Sequence, residues 1–210
     1  MAVLEFDVVG AYPDVEAAAP TITLRLRIGE SSGVPVHAMA LRTQIRIEPL
    51  RRRYDDTEAE ALGDLFGERS RWGSTLKPLQ LAFANQVVPG FTGTTEIGIS
   101  LACSYDFDVA AHKYLYALNA GEVPLLLLFS GTVFTSGDNG FTVTPVAWDN
   151  EARFRLPVDV WRATMQMHFP GSAWLRLRSD VFDALHRYRI REQLLDWDEA
   201  VTRLLKEAGQ

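Results

Sequence analysis

The sequence predicts an α+β fold: a mainly antiparallel β-sandwich, immunoglobulin-like or similar, with C-terminal helices packed on it. Three observations favour this fold. Apolar and polar residues alternate along much of residues 1–155, as they do in half-buried strands. Stretches rich in Gly, Pro, Ser and Asn separate these segments at the short spacing typical of sandwiches. After Arg155 the apolar period lengthens to about 3.6 residues, which indicates helices.

Strict alternation predicts the first strands. Residues 4–9 form the earliest candidate. In residues 21–28 the side chains expected on the buried side are Ile22, Leu24, Leu26 and Ile28. Residues 41–48 repeat the pattern, with Leu41, Thr43, Ile45 and Ile47 facing inward. We therefore predict that residues 21–28 and 41–47 form two strands of the same sheet.

The later strands are predicted from turns and apolar runs. Residues 79–88 and 96–105 are expected to be strands on either side of a turn that contains Pro and Gly. Residues 123–135 are apolar on both faces in their first half, which indicates a central strand. Residues 141–148 are expected to return beside it as a hairpin partner, after the turn-forming residues 136–140.

Helix signals occur both within and after the β-region. Asp108 can cap a short helix over residues 108–120, and residues 57–66 are either another short helix or a solvated loop. Pro157 suits the first position of a helix. Its predicted buried face consists of Val158, Trp161, Met165 and His168.

Two further helices are predicted at the C-terminal end. Ser179 is the predicted N-cap of the first, which carries Phe182, Leu185 and Tyr188. Asp196 is the predicted N-cap of the second, because Glu199 follows three residues later as in a capping box. The buried stripe expected for this last helix is Trp197, Val201, Leu204 and Leu205.

We predict a single domain over residues 1–210. Residues 1–155 form the sandwich, with the helical insertion near residues 108–120, and residues 156–210 form the helical extension. A chain of 210 residues can bury one sizeable core. No low-complexity tract or flexible linker divides the sequence, so the helices are expected to pack on the sandwich.

The composition is that of an ordinary globular protein, with 47% hydrophobic and 23% charged residues. The single cysteine excludes an intramolecular disulfide and favours a reducing compartment. The first residues lack the basic and apolar regions of a secretory signal. No apolar run approaches the roughly 20 residues that a helical membrane span needs. We therefore expect a cytoplasmic protein without a membrane span.

Chemically reactive side chains are dispersed along the sequence. The four histidines are widely spaced, so we predict no metal site, no cofactor and no catalytic residue. Cys103 lies in an apolar strand and is predicted to be a buried, inert thiol. Asp106 and Asp108 are interpreted as capping residues at a strand-to-helix junction. Phosphate-binding and dinucleotide-binding glycine motifs are missing.

His168 supports an alternative interpretation. It shares a helical stripe with Trp161 and Met165, and it is predicted to be a core or rim histidine. In the alternative, His168 meets Asp106 or Asp108 in a pocket between the sandwich and the helices, and the protein is a small-molecule binder or enzyme.

Arginines concentrate in residues 21–54, although the net charge of the chain is −6. The candidate partner-binding residues are Arg25, Arg27, Arg42, Arg46, Arg51, Arg52 and Arg53. If the first two alternating strands pair, Arg25, Arg27, Arg42 and Arg46 share one exposed face, which suits an acidic protein surface. The alternative is a solvated face that the acidic residues after position 54 neutralise. Nucleic acid is a weaker candidate because the chain is acidic overall.

Four segments resemble an uncharacterised actinobacterial family that carries only a domain-of-unknown-function label. These segments are residues 35–42, 45–49, 88–93 and 125–134. Members of that family are often encoded near uptake nickel–iron hydrogenase genes, so the resemblance implies an accessory or assembly role and assigns no functional residue.

The leading hypothesis is a non-enzymatic protein-binding or assembly factor, with the hydrogenase link that the resemblance implies. Surface arginines, and any of the C-terminal tryptophans that are exposed, are typical of protein interfaces. The alternatives are the small-molecule binder or enzyme described above and a structural homo-oligomer assembled through sheet edges or C-terminal helices.

Overall fold

The computed structural model describes residues 2–103, 109–137, 140–172 and 177–209. The chain divides into two compact units, Met1–Pro170 and Gly171–Gln210. The single domain over residues 1–210 stays a prediction, and each unit is described by itself.

Within its described residues, the first unit contains eight strands and five short helices. The strands are β1 (Leu4–Pro13), β2 (Thr21–Glu30), β3 (Val36–Ile47), β4 (Leu79–Phe91), β5 (Thr94–Ala102), β6 (Glu122–Gly137), β7 (Gly140–Pro145) and β8 (Glu151–Pro157). The helices are α1 (Asp56–Ala61), α2 (Gly63–Phe66), α3 (Trp72–Thr75), α4 (Val109–Tyr116) and α5 (Val158–His168), with 3₁₀ turns at Pro49–Arg51 and Arg69–Arg71.

The strands form two antiparallel sheets. Sheet 1 has the order β1-β2-β5. Sheet 2 has the order β4-β3-β6-β7, and β8 pairs with the first half of β6. The long strand β6 therefore lies in the interior of its sheet, as the apolar run at residues 123–135 predicts. The α+β sandwich expected from the sequence is confirmed.

The prediction that residues 21–28 and 41–47 belong to one sheet is wrong. β2 pairs with β1 and β5 in sheet 1, whereas β3 pairs with β4 and β6 in sheet 2. Alternation identifies the buried face of a strand and says nothing about which strand pairs with it. In this chain the loop at residues 31–35 carries the backbone from one sheet to the other.

The core lies between the inner faces of the two sheets. Phe6 of β1 stacks on Phe129 of β6 with ring centroids 4.2 Å apart, which joins sheet 1 to sheet 2. The four apolar residues predicted to be buried in β2 are all at most 1% exposed. Burial of each such side chain contributes roughly 1.5–3 kcal/mol of favourable transfer free energy. This double layer of aliphatic side chains accounts for the stability of the first unit.

Helix α5 continues directly from β8. Pro157 is its N-cap residue, and the helix packs against β1 and β2. Val158 and Trp161 on its inner side are buried, and Met165 is half-buried. For α5, the sequence prediction of a helix packed on the sandwich is therefore confirmed.

The short helices cover one end of the sandwich. Leu62, Phe66 and Trp72 from residues 56–75 are buried, and so are Tyr114 and Leu115 of α4. The helical interpretation of residues 57–66 is confirmed as α1 and α2. Asp108, the predicted cap of α4, lies outside the described residues.

The second unit contains α6 (Ser179–Arg191) and α7 (Trp197–Glu207). The predicted cap of α7 is confirmed, because Asp196 Oδ1 accepts a hydrogen bond of 2.8 Å from the Glu199 backbone. The predicted cap of α6 is wrong by one residue: Arg178 is the N-cap and makes no side-chain capping bond. Ser179 is already helical, so its backbone does not have the extended conformation of a cap.

The predicted buried stripe of α7 is also wrong. Val201, Leu204 and Leu205 are each more than a third exposed, whereas Ala200 is fully buried. Helical periodicity identifies an apolar face, but burial requires a partner of sufficient area. Among the helices of the described ranges, none combines the length and the apolar character needed to cross a bilayer.

Candidate partner-binding face

The two sheets separate the arginines that the sequence predicts to act together. Arg25 and Arg27 lie on the outer face of sheet 1 and both pair with Glu96 of β5, at 3.5 and 2.9 Å. Arg42 and Arg46 lie on the outer face of sheet 2. The shared basic patch proposed for these four residues depends on pairing between β2 and β3, so it does not form within one sheet.

Sheet 2 instead places Arg46 near an arginine from β8, whereas Arg42 lies further along β3, opposite Ser130 of β6. Arg46 is opposite Leu126 of β6, and Leu126 is in turn opposite Arg153. Arg155 lies two residues further along β8 and shares the outward side of the strand with Arg153. Antiparallel register therefore assembles one surface from β3, β6 and β8.

Two adjoining grooves lie at this end of sheet 2. The smaller has a volume of about 330 Å³, and Arg51, Arg153 and Arg155 line it together with Leu126. The larger is about 680 Å³, shares Arg51 and Arg155, and adds Arg52 and Arg53. We refer to Arg46, Arg51, Arg53, Arg153 and Arg155 as the arginine end of sheet 2.

Several of these guanidinium groups have nearby carboxylates. Arg51 pairs with Glu48 at 3.1 Å, and Arg153 pairs with Glu151 at 2.9 Å. Arg155 is 3.9 Å from Glu122. In the part of the chain that the structure describes, Arg42 and Arg46 form no ion pair. Arg46 donates to Gln44 Oε1, and Arg42 lies over the Phe83 ring at 4.9 Å. The arginine end is therefore only modestly basic.

The remainder of the outer face of sheet 2 carries exposed apolar side chains among polar ones such as Asn85 and Ser130. Val87 of β4 is 77% exposed and Phe83 is 52% exposed. On the other side of the sheet, Phe141 and Val143 of β7 are 62% and 58% exposed. Alanines at positions 38 and 40 lie in β3 between these groups. Exposed apolar side chains grouped on one sheet face are typical of an interaction surface.

Arg52 differs from its neighbours because its side chain is buried. Its guanidinium pairs with Glu58 at 2.5 Å, and the two side chains are only 8% and 4% exposed. It also donates to the carbonyls of Ala120 and Glu122, at 2.7 and 2.8 Å. The sequence predicts Arg52 as a partner-binding residue. Its charge is instead committed to holding residues 52–58 against the start of β6.

Glu58 is the centre of this buried network. Its side chain accepts hydrogen bonds from the backbone of Asn119 at 2.8 Å and of Asp55 at 3.4 Å. The Asp55 carboxylate in turn accepts a hydrogen bond from the Glu58 backbone, which completes a capping box at the start of α1. Glu58 and the two terminal nitrogens of Arg52 are therefore supplied with hydrogen bonds, as a buried charge requires, whereas the buried Arg52 Nε has no hydrogen-bond partner among the described residues.

Two tyrosines extend the network into the core. The hydroxyls of Tyr54 and Tyr114 are 2.8 Å apart, and Tyr54 also donates to the Pro49 carbonyl. Burial raises the pKa of Tyr54 to about 12. Burial likewise raises the pKa of Tyr114, with a further contribution from neighbouring Tyr54. Both phenols are held in the neutral form and act as hydrogen-bonding groups within the structure.

The other candidate residues remain apart from this face. Cys103 is 4% exposed, and burial raises the pKa of its thiol to about 12, so the thiolate is strongly disfavoured. His168 is half-buried at the end of α5. Asp106 and Asp108 lie outside the described residues, so a pairing with His168 stays a prediction. Within the described ranges, no three His, Cys, Asp or Glu side chains group as metal ligands would.

Sequence reasoning missed β8 and the arginines that it contributes. Residues 151–157 do carry a strand signal, because Ala152 and Leu156 are buried and alternate with Arg153 and Arg155. The segment is short, and a helix follows it at once. The exposed apolar residues of β4 and β7 have no comparable signal, since a sequence does not reveal which side of a strand stays uncovered.

Comparisons with known proteins identify a family that matches this chain. A family model described as a family of unknown function (DUF6084) matches residues 1–210. No curated protein matches the chain. Solved structures with a similar portion include a β-glucosidase from Kluyveromyces marxianus, at 11% identity and a TM-score of 0.28, and β-glucosidase 3B from Thermotoga neapolitana, at 10% and 0.28. In each case 73% of this chain is covered, but only 15% and 17% of the larger enzymes.

Proposed function

Because the chain belongs to DUF6084, a family of unknown function, we propose its role from its surfaces: it is a non-enzymatic protein-binding or accessory factor that binds its partner through the outer face of sheet 2. One observation carries this proposal. Exposed Phe and Val side chains of β4 and β7 lie on the same sheet face as Arg42 and Arg46. Aromatic residues and arginine are enriched at protein interfaces.

A protein partner fits this face better than a nucleic acid. Nucleic-acid binding relies on a clear excess of positive charge along the phosphate backbone. Here Glu48, Glu122 and Glu151 lie beside Arg51, Arg155 and Arg153. Exposed aromatic side chains and arginines on one face are the residue types enriched in protein interfaces. We propose that the partner presents apolar side chains to β4 and β7 and carboxylates to the arginines of β3.

The sequence resemblance implies a connection to hydrogenases. We therefore propose hydrogenase proteins as candidate partners. An actinobacterial accessory factor of this kind would act in the cytoplasm, beside a hydrogenase or one of its maturation proteins. A tagged copy of this chain, expressed in its native host, provides the material to test that idea by co-purification and mass spectrometry.

The separation of the arginines between two sheets supplies a matched control. In one variant, Arg42→Glu and Arg46→Glu reverse two charges on sheet 2. In the other, Arg25→Glu and Arg27→Glu reverse two charges on sheet 1. Both variants change the net charge equally. We expect partner recovery to fall only for the sheet 2 variant, and to fall with salt for the wild-type protein.

A second pair of variants tests the apolar part of the face. Val87→Asp on sheet 2 is expected to weaken capture, whereas Val15→Asp, at a position that is 74% exposed outside both sheets, is expected to leave it unchanged. Equal recovery of a partner by all four variants would place the binding surface elsewhere. Recovery of no specific partner by the wild-type protein would refute the proposal.

A further inference from the structure

The edges of the two sheets are not equally protected against pairing with another strand. An exposed edge strand has unpaired backbone donors and acceptors, and proteins usually shield such edges with charges or bulges. β1 at the edge of sheet 1 carries Glu5 and Asp7 and has an irregularity between Val8 and Gly10. β8 carries alternating charged residues and contacts β1. These edges have the expected shielding.

The opposite side of the sandwich is closed by the chain itself. β4 continues through a tight turn at residues 92–93 into β5 of sheet 1. The Gln86 side chain of β4 donates a hydrogen bond to the Gly98 carbonyl of β5. The edge formed by β4 therefore lies beside β5 of the other sheet, and it is interrupted by Pro89, which has no backbone donor, and by a register shift opposite Ile45 and Arg46.

β7 has none of these protections. Its sequence, Gly-Phe-Thr-Val-Thr-Pro, contains no charged residue. In the described part of the molecule it pairs on one side only, with the second half of β6. Five of its six residues are exposed, among them Phe141 and Val143 on the outer face. β-branched and aromatic residues on an uncharged free edge favour the addition of another strand.

The sequence of β7 is complementary to itself in one antiparallel register. With a two-fold axis at Thr142, Phe141 of one copy lies opposite Val143 of the other, and the two Thr142 residues face each other. Aromatic with β-branched, and threonine with threonine, are favourable cross-strand pairs. This edge offers no opposite charge to a charged partner strand. Pairing with a second copy brings no like charges together at the edge, although each chain has a net charge of −6.

We propose that two copies of this chain associate through antiparallel pairing of β7 with β7 about a two-fold axis at Thr142. This symmetry gives a closed dimer, in which each copy uses the same surface. The pairing joins the two five-stranded sheets into one continuous sheet. It also places two copies of the outer face of sheet 2 side by side, which would strengthen binding to a partner with two matching sites.

The oligomeric state of the full chain tests the proposal, and charge variants at the axis test the register. Sedimentation velocity over a wide concentration range is expected to show a monomer–dimer equilibrium for the wild-type protein. Thr142→Lys and Thr142→Glu each place like charges directly opposite one another, so each variant alone is expected to remain monomeric. Thr142 is exposed, and both variants are expected to fold.

An equimolar mixture of the two variants is the decisive sample. Opposite charges then meet at the axis, so the mixture is expected to recover the dimer. Thr92→Lys, in the exposed turn between β4 and β5, is the matched control and should dimerise like the wild type. A wild-type monomer at every concentration, dimers that persist in both single variants, or a mixture that stays monomeric would each overturn the proposal.

Discussion

The Arg52 guanidinium and the Glu58 carboxylate form a buried ion pair at 2.5 Å, with 8% and 4% of the two side chains exposed. The preceding residue, Arg51, pairs with Glu48 at the surface, and its side chain is 51% exposed. Two adjacent arginines therefore have different roles: the buried pair of Arg52 fixes the insertion to the sandwich, whereas Arg51 forms an exposed pair at the arginine end of sheet 2.

This difference predicts unequal effects on stability. Arg52→Met leaves Glu58 charged and buried without its partner, so the free energy of unfolding should fall by about 3–5 kcal/mol. Arg51→Met breaks an exposed pair and should cost at most about 1 kcal/mol. Urea unfolding followed by tryptophan fluorescence measures both values. Equal midpoints for the two variants would contradict the structural role assigned to Arg52.

The tyrosine pair predicts a loss of stability at high pH. Burial raises the pKa of Tyr54 from its ordinary value of 10.0 to about 12, so the folded protein holds this proton more tightly than the unfolded chain does. Its contribution is fully present below pH 10 and is lost as the pH rises from about 10 to about 12. Unfolding midpoints measured across this window should therefore fall.

Variants separate Tyr54 from the other groups that titrate at high pH. Tyr54→Phe should be less stable at every pH, because it loses a buried hydrogen bond, but its stability should depend less on pH in this window. Tyr12→Phe, at a position that is 50% exposed, should behave like the wild type. Identical pH profiles for the wild type and Tyr54→Phe would argue against a buried neutral phenol.

Cys103 is predicted to be unreactive in the native protein. Burial raises the pKa of its thiol to about 12, and only the thiolate attacks disulfide reagents. Labelling with Ellman's reagent should be slow under native conditions and fast in denaturant, where the thiol regains ordinary exposure. Cys103→Ser should give no label in either condition. Native labelling as fast as that of the unfolded chain would exclude the buried position.

Gly131 is predicted to be required where β6 passes close to β3. Its φ is +144°, and an added Cβ would lie 2.0 Å from the Ala40 carbonyl oxygen. Gly131→Ala should therefore destabilise the protein by at least about 1–3 kcal/mol, the usual cost of such backbone strain. Gly73→Ala is the control, because a Cβ there would enter open space. Thermal unfolding compares the two, and unchanged stability of both variants would contradict the close approach.

The sequence predicts the elements of this fold better than their partners. Strict alternation identifies β2, and its buried residues lie where the pattern places them. The same pattern cannot show that β2 pairs with β5, since Ile22 and its partner Leu101 are far apart along the chain. Register between distant strands depends on the packing of the whole sandwich. For the same reason the sequence places Arg25 and Arg42 on one sheet face, whereas they lie on two different sheets.

The candidate face shows the same limit at the level of single residues. Arg51, Arg52 and Arg53 are consecutive, and no local pattern distinguishes the buried one from its neighbours. The burial of Arg52 depends on Glu58 and on carbonyls at positions 120 and 122, which tertiary structure brings together. Arg153 and Arg155 join the face only because β8 pairs with β6.

The pairing of β2 with β5 has a consequence for the newborn chain on the ribosome. The apolar side chains of β2 leave the exit tunnel long before Leu101 and the rest of β5, so sheet 1 stays incomplete in the meantime. Closing such a long loop is entropically costly and slows folding. During this delay Ile22, Leu24 and Leu26 are exposed to solvent. Chaperones that recognise apolar segments of nascent chains are therefore expected to bind there.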